Sequence, residues 1–335
     1  KGLQRTMNDT PLLYLSADDV RSALSMSEAI EVMRDAFAQL SKGEASLPTR
    51  ECLRATDDRG VDLVMPCHSA ASNMFSLKTA TVFKDNPRSG LPAIQALLIL
   101  TDGLTGSHLA IMDGTSLTAI RTGAASGLAT DLLAPADASV ASIFGSSVQA
   151  RAQLEAVCSV RAIRRASVYS RNQAAASRFA GEMTDRLGLP VTSVRTPSEN
   201  LSDADVICTA TSSSRPVFSD SEIRGGVHIN AVGAYRPDMA EVPADTVRRA
   251  RVVVDHLDSA MEEAGDLLQP LHRGLIEQTH FCTELGEIVL NRSPGRRSAD
   301  EITLFKSVGV AIQDLCAAER VLEGAKRLGL GIPLS

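Results

Sequence analysis

The 335 residues allow two domains at about 100–200 residues each, and 44% hydrophobic with 22% charged residues excludes a disordered chain. With 34 basic and 40 acidic residues the net charge is −6, which argues against nucleic acid as a partner, because a polyanion needs a concentrated positive field. Aromatics are 3% with no Trp, so a base-stacking surface would also be hard to build.

No apolar run approaches the ~20 residues that span a bilayer, so no membrane partner is expected. The polar stretch Lys1–Thr10 carries no signal-peptide core, and its first six residues, ahead of Met7, read as sequence left over from cloning. Cys52, Cys67, Cys158, Cys208, Cys282 and Cys316 form no close pair and read as buried thiols of a reducing compartment, hence a cytoplasmic protein.

In chain order, Ser25 and Glu28 have the spacing of a capping box, and Ile30, Met33, Phe37 and Leu40 follow at helical intervals up to Gly43. Residues 47–112 read as strands, notably Leu63–Met65, Ser76–Phe83 and Ile94–Leu100, with turns at Asn86-Pro87, Gly90 and Asp102-Gly103. A helix is expected over Ser116–Leu133. From Pro135 onward strand-like and helix-like runs alternate: Ser139–Phe144, helix 148–159, Ala166–Tyr169, helix 173–187, Asp205–Cys208, Val227–Val232 and Arg251–Asp255. That alternation predicts βαβ crossovers and a doubly wound parallel sheet. A final helical segment is expected over Ile302–Leu328, packing back on the first domain.

At Gly145-Ser-Ser-Val-Gln-Ala150 an apolar strand enters a tight turn and then a helix, where a dinucleotide fold seats its pyrophosphate. Ser147 stands where the fingerprint wants its middle glycine. The second strand ends in Ser170-Arg171-Asn172 without the carboxylate that would bind an NAD ribose, which favours NADP(H) while leaving NAD(H) open. Arg121 shares a helix face with Leu117, Ala124, Leu128 and Leu132, so it is either a structural ion pair or an anion ligand. Lys78 interrupts a β-branched strand, a place where lysine is usually solvent-facing, and Arg50 follows Leu47-Pro-Thr. No metal site emerges: Cys67-His68 has no second ligand pair, and the other histidines form no set at zinc spacing.

Lys78–Pro92, Leu117–Ala125, Gly145–Arg151, Asn230–Asp238 and Phe305–Gly309 together resemble the ornithine cyclodeaminase/mu-crystallin family, in order, from about residue 12 to 325. The resemblance implies a homodimer with a Rossmann dinucleotide-binding domain over 134–299. A substrate-binding and dimerisation domain would be built from 1–133 and 300–335. It further implies that Arg50, Lys78 and Arg121 bind a small carboxylate-bearing imino or amino acid, with Val308 against it. To the cofactor residues read from the turn and the second strand's end, Gly145, Ser147, Ser170, Arg171 and Asn172, it adds Val148, Gln149, Thr211, Val232, Gly233 and Ser307, with Arg121 beside them, and it gives Lys78 and Arg121 catalytic roles. Tyr235 stands where the family's ornithine cyclodeaminases carry an aspartate, and Gly233-Ala-Tyr-Arg-Pro-Asp238 is similar to the ketimine reductase branch. Ala93 replaces a threonine often found near the cofactor. The implied activity is NAD(P)H-dependent reduction of Δ1-pyrroline-2-carboxylate or Δ1-piperideine-2-carboxylate to proline or pipecolate. An alanine-type dehydrogenase, an ornithine cyclodeaminase and a non-catalytic cofactor-binding protein are the alternatives.

Overall fold

The computed structural model describes residues 11–334; Lys1–Thr10, expected to be polar and leaderless, lie outside the described residues. The chain divides into two compact units. The first holds residues 11–25, Ala45–Thr118 and 314–334; the second holds Met26–Glu44 and Ala119–Gln313. The expected boundaries near 133 and 300 therefore both fall inside the second unit, and residues 26–44 join it as well.

In the first unit the strands are β1 (Leu12–Leu15), β2 (Ala45–Ser46), β3 (Glu51–Arg54), β4 (Val61–Ser69), β5 (Met74–Val82), β6 (Ile94–Asp102) and β7 (His108–Asp113). They form one sheet with the C-terminal strand Ile332–Leu334, which pairs with β1. All pairs are antiparallel except β1 with β7. Alternation sends Met65, Cys67, Ser76, Lys78, Leu98 and Leu100 to the buried face. The opposite face stays open: Phe75, Leu77 and Leu97 are exposed there, as are Tyr14 and Ile332. The register joins Leu77 to Ile99, Ile99 to Ile111, Ile111 to Tyr14 and Tyr14 to Ile332, so these side chains line one surface across five strands.

In the second unit β8 (Val140–Phe144), β9 (Arg165–Tyr169), β10 (Val191–Ser193), β11 (Val206–Thr209), β12 (His228–Ala231), β13 (Arg251–Val254), β14 (Thr283–Glu284) and β15 (Thr303–Lys306) make a wholly parallel sheet. Its order, β10-β9-β8-β11-β12-β15-β13-β14, opens with the 3-2-1-4-5 arrangement of a dinucleotide fold. β11, β12 and β15 are buried at every residue, as a sheet covered on both faces requires. Residues 302–310 depart from the expected helix. Thr303–Lys306 is a strand between β12 and β13, and the helix starts only at Ala311. Phe305 and Leu304 complete the sheet's core, and Lys306 is tolerated there because Asp266 lies 2.9 Å away with both side chains fully buried.

The other helices follow expectation: Met26–Lys42, Gly114–Leu133, Val148–Val160 and Gln173–Leu187. Cys52 and Cys282 are exposed and Cys158 is half-buried, which corrects the reading of all six cysteines as buried; the two exposed ones lie on a short strand and a turn with little over them. Among the described residues no helix is long and apolar enough to cross a membrane.

Candidate functional site

The first candidate residues lie where β8 ends. Gly145 has φ +108°, a conformation that favours glycine, and a Cβ there would stand 2.5 Å from the Ala210 carbonyl oxygen. Ser147 has φ −82° and ψ 178°, ordinary extended backbone, so this turn imposes no need for glycine at that position. Its hydroxyl instead caps the helix Val148–Val160, accepting from the Ala150 N–H at 3.3 Å. The N–H groups of Val148 and Gln149 open that helix and have no partner within it, which is the condition for an anion site. Gln149 also carries a buried Oε1 with no hydrogen-bond partner. A close-approach glycine and a helix start fit a dinucleotide pyrophosphate.

One strand over, at the end of β9, Ser146 Oγ lies 3.2 Å from Ser170 Oγ, which brings the two turns together. Arg171 is exposed. The Asn172 side chain caps the next helix, accepting from the Ala175 N–H at 3.1 Å, so its amide serves the fold.

Thr211, Val232 and Gly233 follow β11 and β12, and a residue that sequence reasoning missed joins them. The fully buried Glu241 accepts the Thr211 N–H at 2.6 Å, the Gly233 N–H at 2.7 Å and the Thr209 hydroxyl at 2.9 Å. Gly233 has no room for a side chain, since a Cβ would collide with the Thr211 carbonyl and the Glu241 carboxylate. Burial, then the neighbouring Asp266 carboxylate, push the Glu241 carboxyl above the usual carboxylate range. Asp266 in turn accepts the Glu241 and Val242 N–H groups and pairs with Lys306.

Ser307 and Val308 follow β15 and are fastened by a second missed carboxylate, Asp255. Its Oδ2 accepts the Ser307 hydroxyl at 2.7 Å and the Val308 N–H at 2.9 Å. Arg121, also in this unit, is 5% exposed and donates from Nη1 to Gln313 Oε1 at 2.9 Å. The sequence left Arg121 between an ion pair and an anion ligand; the Gln313 amide oxygen is one acceptor that holds the guanidinium.

The first unit holds Arg50 and Lys78. Arg50 is half-buried just ahead of β3. Lys78 is not solvent-facing: it is 2% exposed and its Nζ lies 2.6 Å from Asp314 Oδ2, itself 1% exposed. Thr118 Oγ1 is 3.5 Å away. Burial first, and then the Asp314 and Glu319 charges, push the Cys67 thiol on the same sheet face up to about 12, so it stays protonated. The structure thus gathers the cofactor candidates and Arg121 in the second unit and the other two cations in the first. Tyr235 is half-buried after β12. Among the described residues no cluster of His, Cys, Asp and Glu stands close enough to hold a metal ion.

Residues 12–328 match the ornithine cyclodeaminase/mu-crystallin family. A Δ1-pyrroline-2-carboxylate reductase of Bacillus cereus is 38% identical over 96% of this chain and 98% of its own length. The structure of Thermococcus litoralis Δ1-pyrroline-2-carboxylate reductase, in complex with NADH and L-proline, superposes with a TM-score of 0.94 at 40% identity, covering 96% of this chain and all of that one. An archaeal alanine dehydrogenase dimer with bound NAD gives a TM-score of 0.90 at 34% identity over 97% of this chain and 99% of its own. With the parallel sheet, the glycine turn and the buried cations in place, this chain belongs to the ornithine cyclodeaminase/mu-crystallin family.

Proposed function

We propose that the protein is an NAD(P)H-dependent reductase of a small cyclic imino acid, converting Δ1-pyrroline-2-carboxylate to proline, with the six-membered homologue as a second substrate. The observation that carries this is similarity along nearly the whole chain to reductases of that name. Arg121 suits the substrate's carboxylate because a planar guanidinium can meet both oxygens at once, and Arg50 adds a second charge. Lys78 is the candidate proton source for the ring nitrogen, its ammonium form stabilised by Asp314. A bound reduced nicotinamide supplies the hydride that the imine carbon receives. Tyr235 offers no carboxylate to engage a free amine, which weighs against ornithine cyclodeamination.

Arg171, exposed beside the Ser146–Ser170 pair, supports a preference for NADP(H) over NAD(H), because a guanidinium suits a 2′-phosphate. The open sheet face around Phe75, Leu77, Leu97, Tyr14 and Ile332 supports a homodimer, since exposed apolar side chains gathered on one face of a sheet are the mark of an interface.

The test is to follow oxidation of NADPH and NADH with freshly generated Δ1-pyrroline-2-carboxylate and to identify the proline formed. Turnover that is faster with NADPH is expected. No turnover on the imine, with activity on pyruvate plus ammonia, would transfer the assignment to an alanine-type dehydrogenase.

A further inference from the structure

Arg121 rests in a seat built from its own unit. Gly309 adopts φ +84°, and a Cβ on it would stand 2.5 Å from Arg121 Nη1 and 3.0 Å from Nη2. The guanidinium therefore occupies the space a side chain would take, and both the backbone angle and the contact demand glycine. Gly309 is itself fixed: its N–H reaches Asp255 Oδ2 at 2.7 Å, the same oxygen that takes the Ser307 hydroxyl and the Val308 N–H. Asp255 Oδ1 accepts the His256 N–H at 2.9 Å, so the carboxylate cannot rotate without losing a bond.

Gln313 supports the guanidinium from a different segment. Its Oε1 accepts from Arg121 Nη1 and from the Val310 N–H at 3.1 Å. Both neighbours are donors, so the amide cannot be turned over. That orientation leaves Gln313 Nε2 buried with no hydrogen-bond partner. A buried donor is tolerated in this way only where the bonds on the other side of the amide outweigh its loss.

We infer that Gly309 and Gln313, with Asp255 behind them, are positioning residues that hold the Arg121 guanidinium ready for the substrate's carboxylate. The inference rests on the reductase reading above and extends it: the affinity of Arg121 for its ligand is set by a pre-built seat and does not await ligand binding.

The test compares Δ1-pyrroline-2-carboxylate with 1-pyrroline, the same ring without the carboxylate, and adds calorimetric titration with L-proline as a readout that needs no turnover. Gln313→Leu removes the acceptor. It is expected to lower kcat/KM for the carboxylated imine about tenfold to a hundredfold and to weaken L-proline binding by a like factor. With 1-pyrroline the same variant stays within about twofold of the parent. Gly309→Ala, which pushes on the guanidinium, is expected to match it, and if that variant fails to fold Gln313→Leu still decides. Equal losses on both imines, or none on the carboxylated one, would overturn the inference alone. A parent protein that turns over neither imine overturns the reductase reading and the inference with it.

Discussion

Replacing Asp314 by alanine removes the carboxylate paired with the buried Lys78 ammonium. The pair is 2.6 Å apart and the side chains are 2% and 1% exposed, so water cannot take over the role of the lost carboxylate. At an effective dielectric of about 20 the direct attraction is roughly 6 kcal/mol, part of which only offsets the desolvation of two charges. Removing one partner from such a pair costs about 3–5 kcal/mol. With an unfolding entropy of ~2.1 cal/mol/K per residue, and the chain melting as one, that loss lowers Tm by roughly 4–7 °C. Deleting both charges together behaves differently, because Lys78→Met with Asp314→Leu removes the desolvation cost along with the attraction. The double variant is expected within about 1 kcal/mol of the parent or above it. Calorimetry on the three proteins measures this, and turnover on the imine completes it: the double variant stays folded and loses at least about a hundredfold in kcat if Lys78 gives the proton. An Asp314→Ala protein as stable as the parent would refute the reasoning, as would a double variant no more stable than Asp314→Ala.

Four further outcomes are expected. Arg171→Asp lowers kcat/KM for NADPH about tenfold to a hundredfold while leaving NADH within about threefold, and an unchanged ratio of the two would remove Arg171 from the cofactor assignment. Gly233→Ala drives a methyl group into the Thr211 carbonyl and the Glu241 carboxylate and weakens NADH binding about tenfold or more in a fluorescence titration; full affinity would show that these loops do not contact the cofactor. Leu77→Glu, on the open sheet face, converts the expected dimer to monomer in analytical ultracentrifugation, whereas an unaltered dimer would place the interface elsewhere. Burial pushes the His228 imidazole down to about 3, so below pH ~6.5 the unfolded chain takes up a proton that the fold refuses; stability is lost as pH falls from there toward 3, by at most about 5 kcal/mol, and His228→Asn flattens that slope in melting curves unless another group governs it.

The Rossmann half was legible because a parallel sheet covered on both faces writes its strands as short apolar runs between helices, as in Ser139–Phe144 and Arg251–Asp255. What failed was a strand whose partners lie far off. Thr303–Lys306 inserts between β12 and β13, and a run of four residues ahead of a long helix reads as part of that helix. Lys306 worked against a buried strand until Asp266, 40 residues away, supplied the counter-charge. Lys78 misled in the same manner: the general expectation of a solvent-facing lysine gave way to Asp314, 236 positions further on.

The site divided along the same line. Its cations and glycines stood out because each breaks a local pattern: Arg121 on an apolar helix face, Lys78 in a β-branched strand, Gly145 between strand and helix. The groups that hold them did not: Asp255, Gln313 and Asp314 act on residues 54, 192 and 236 positions away, and Glu241, 8 positions from Gly233, also reaches back 30 and 32 positions to Thr211 and Thr209. One signal was available. Asp255 directly follows Arg251-Val-Val-Val254, a strand with the composition of a sheet interior, and an acid at the end of such a strand must find donors or raise the cost of folding. It finds four, three of them on the consecutive residues Ser307, Val308 and Gly309. A carboxylate in a sequence-predicted interior is therefore informative about a loop elsewhere in the chain, because only backbone or hydroxyl donors presented together can satisfy it without a cation. In this protein the loop so fixed is the one that seats Arg121.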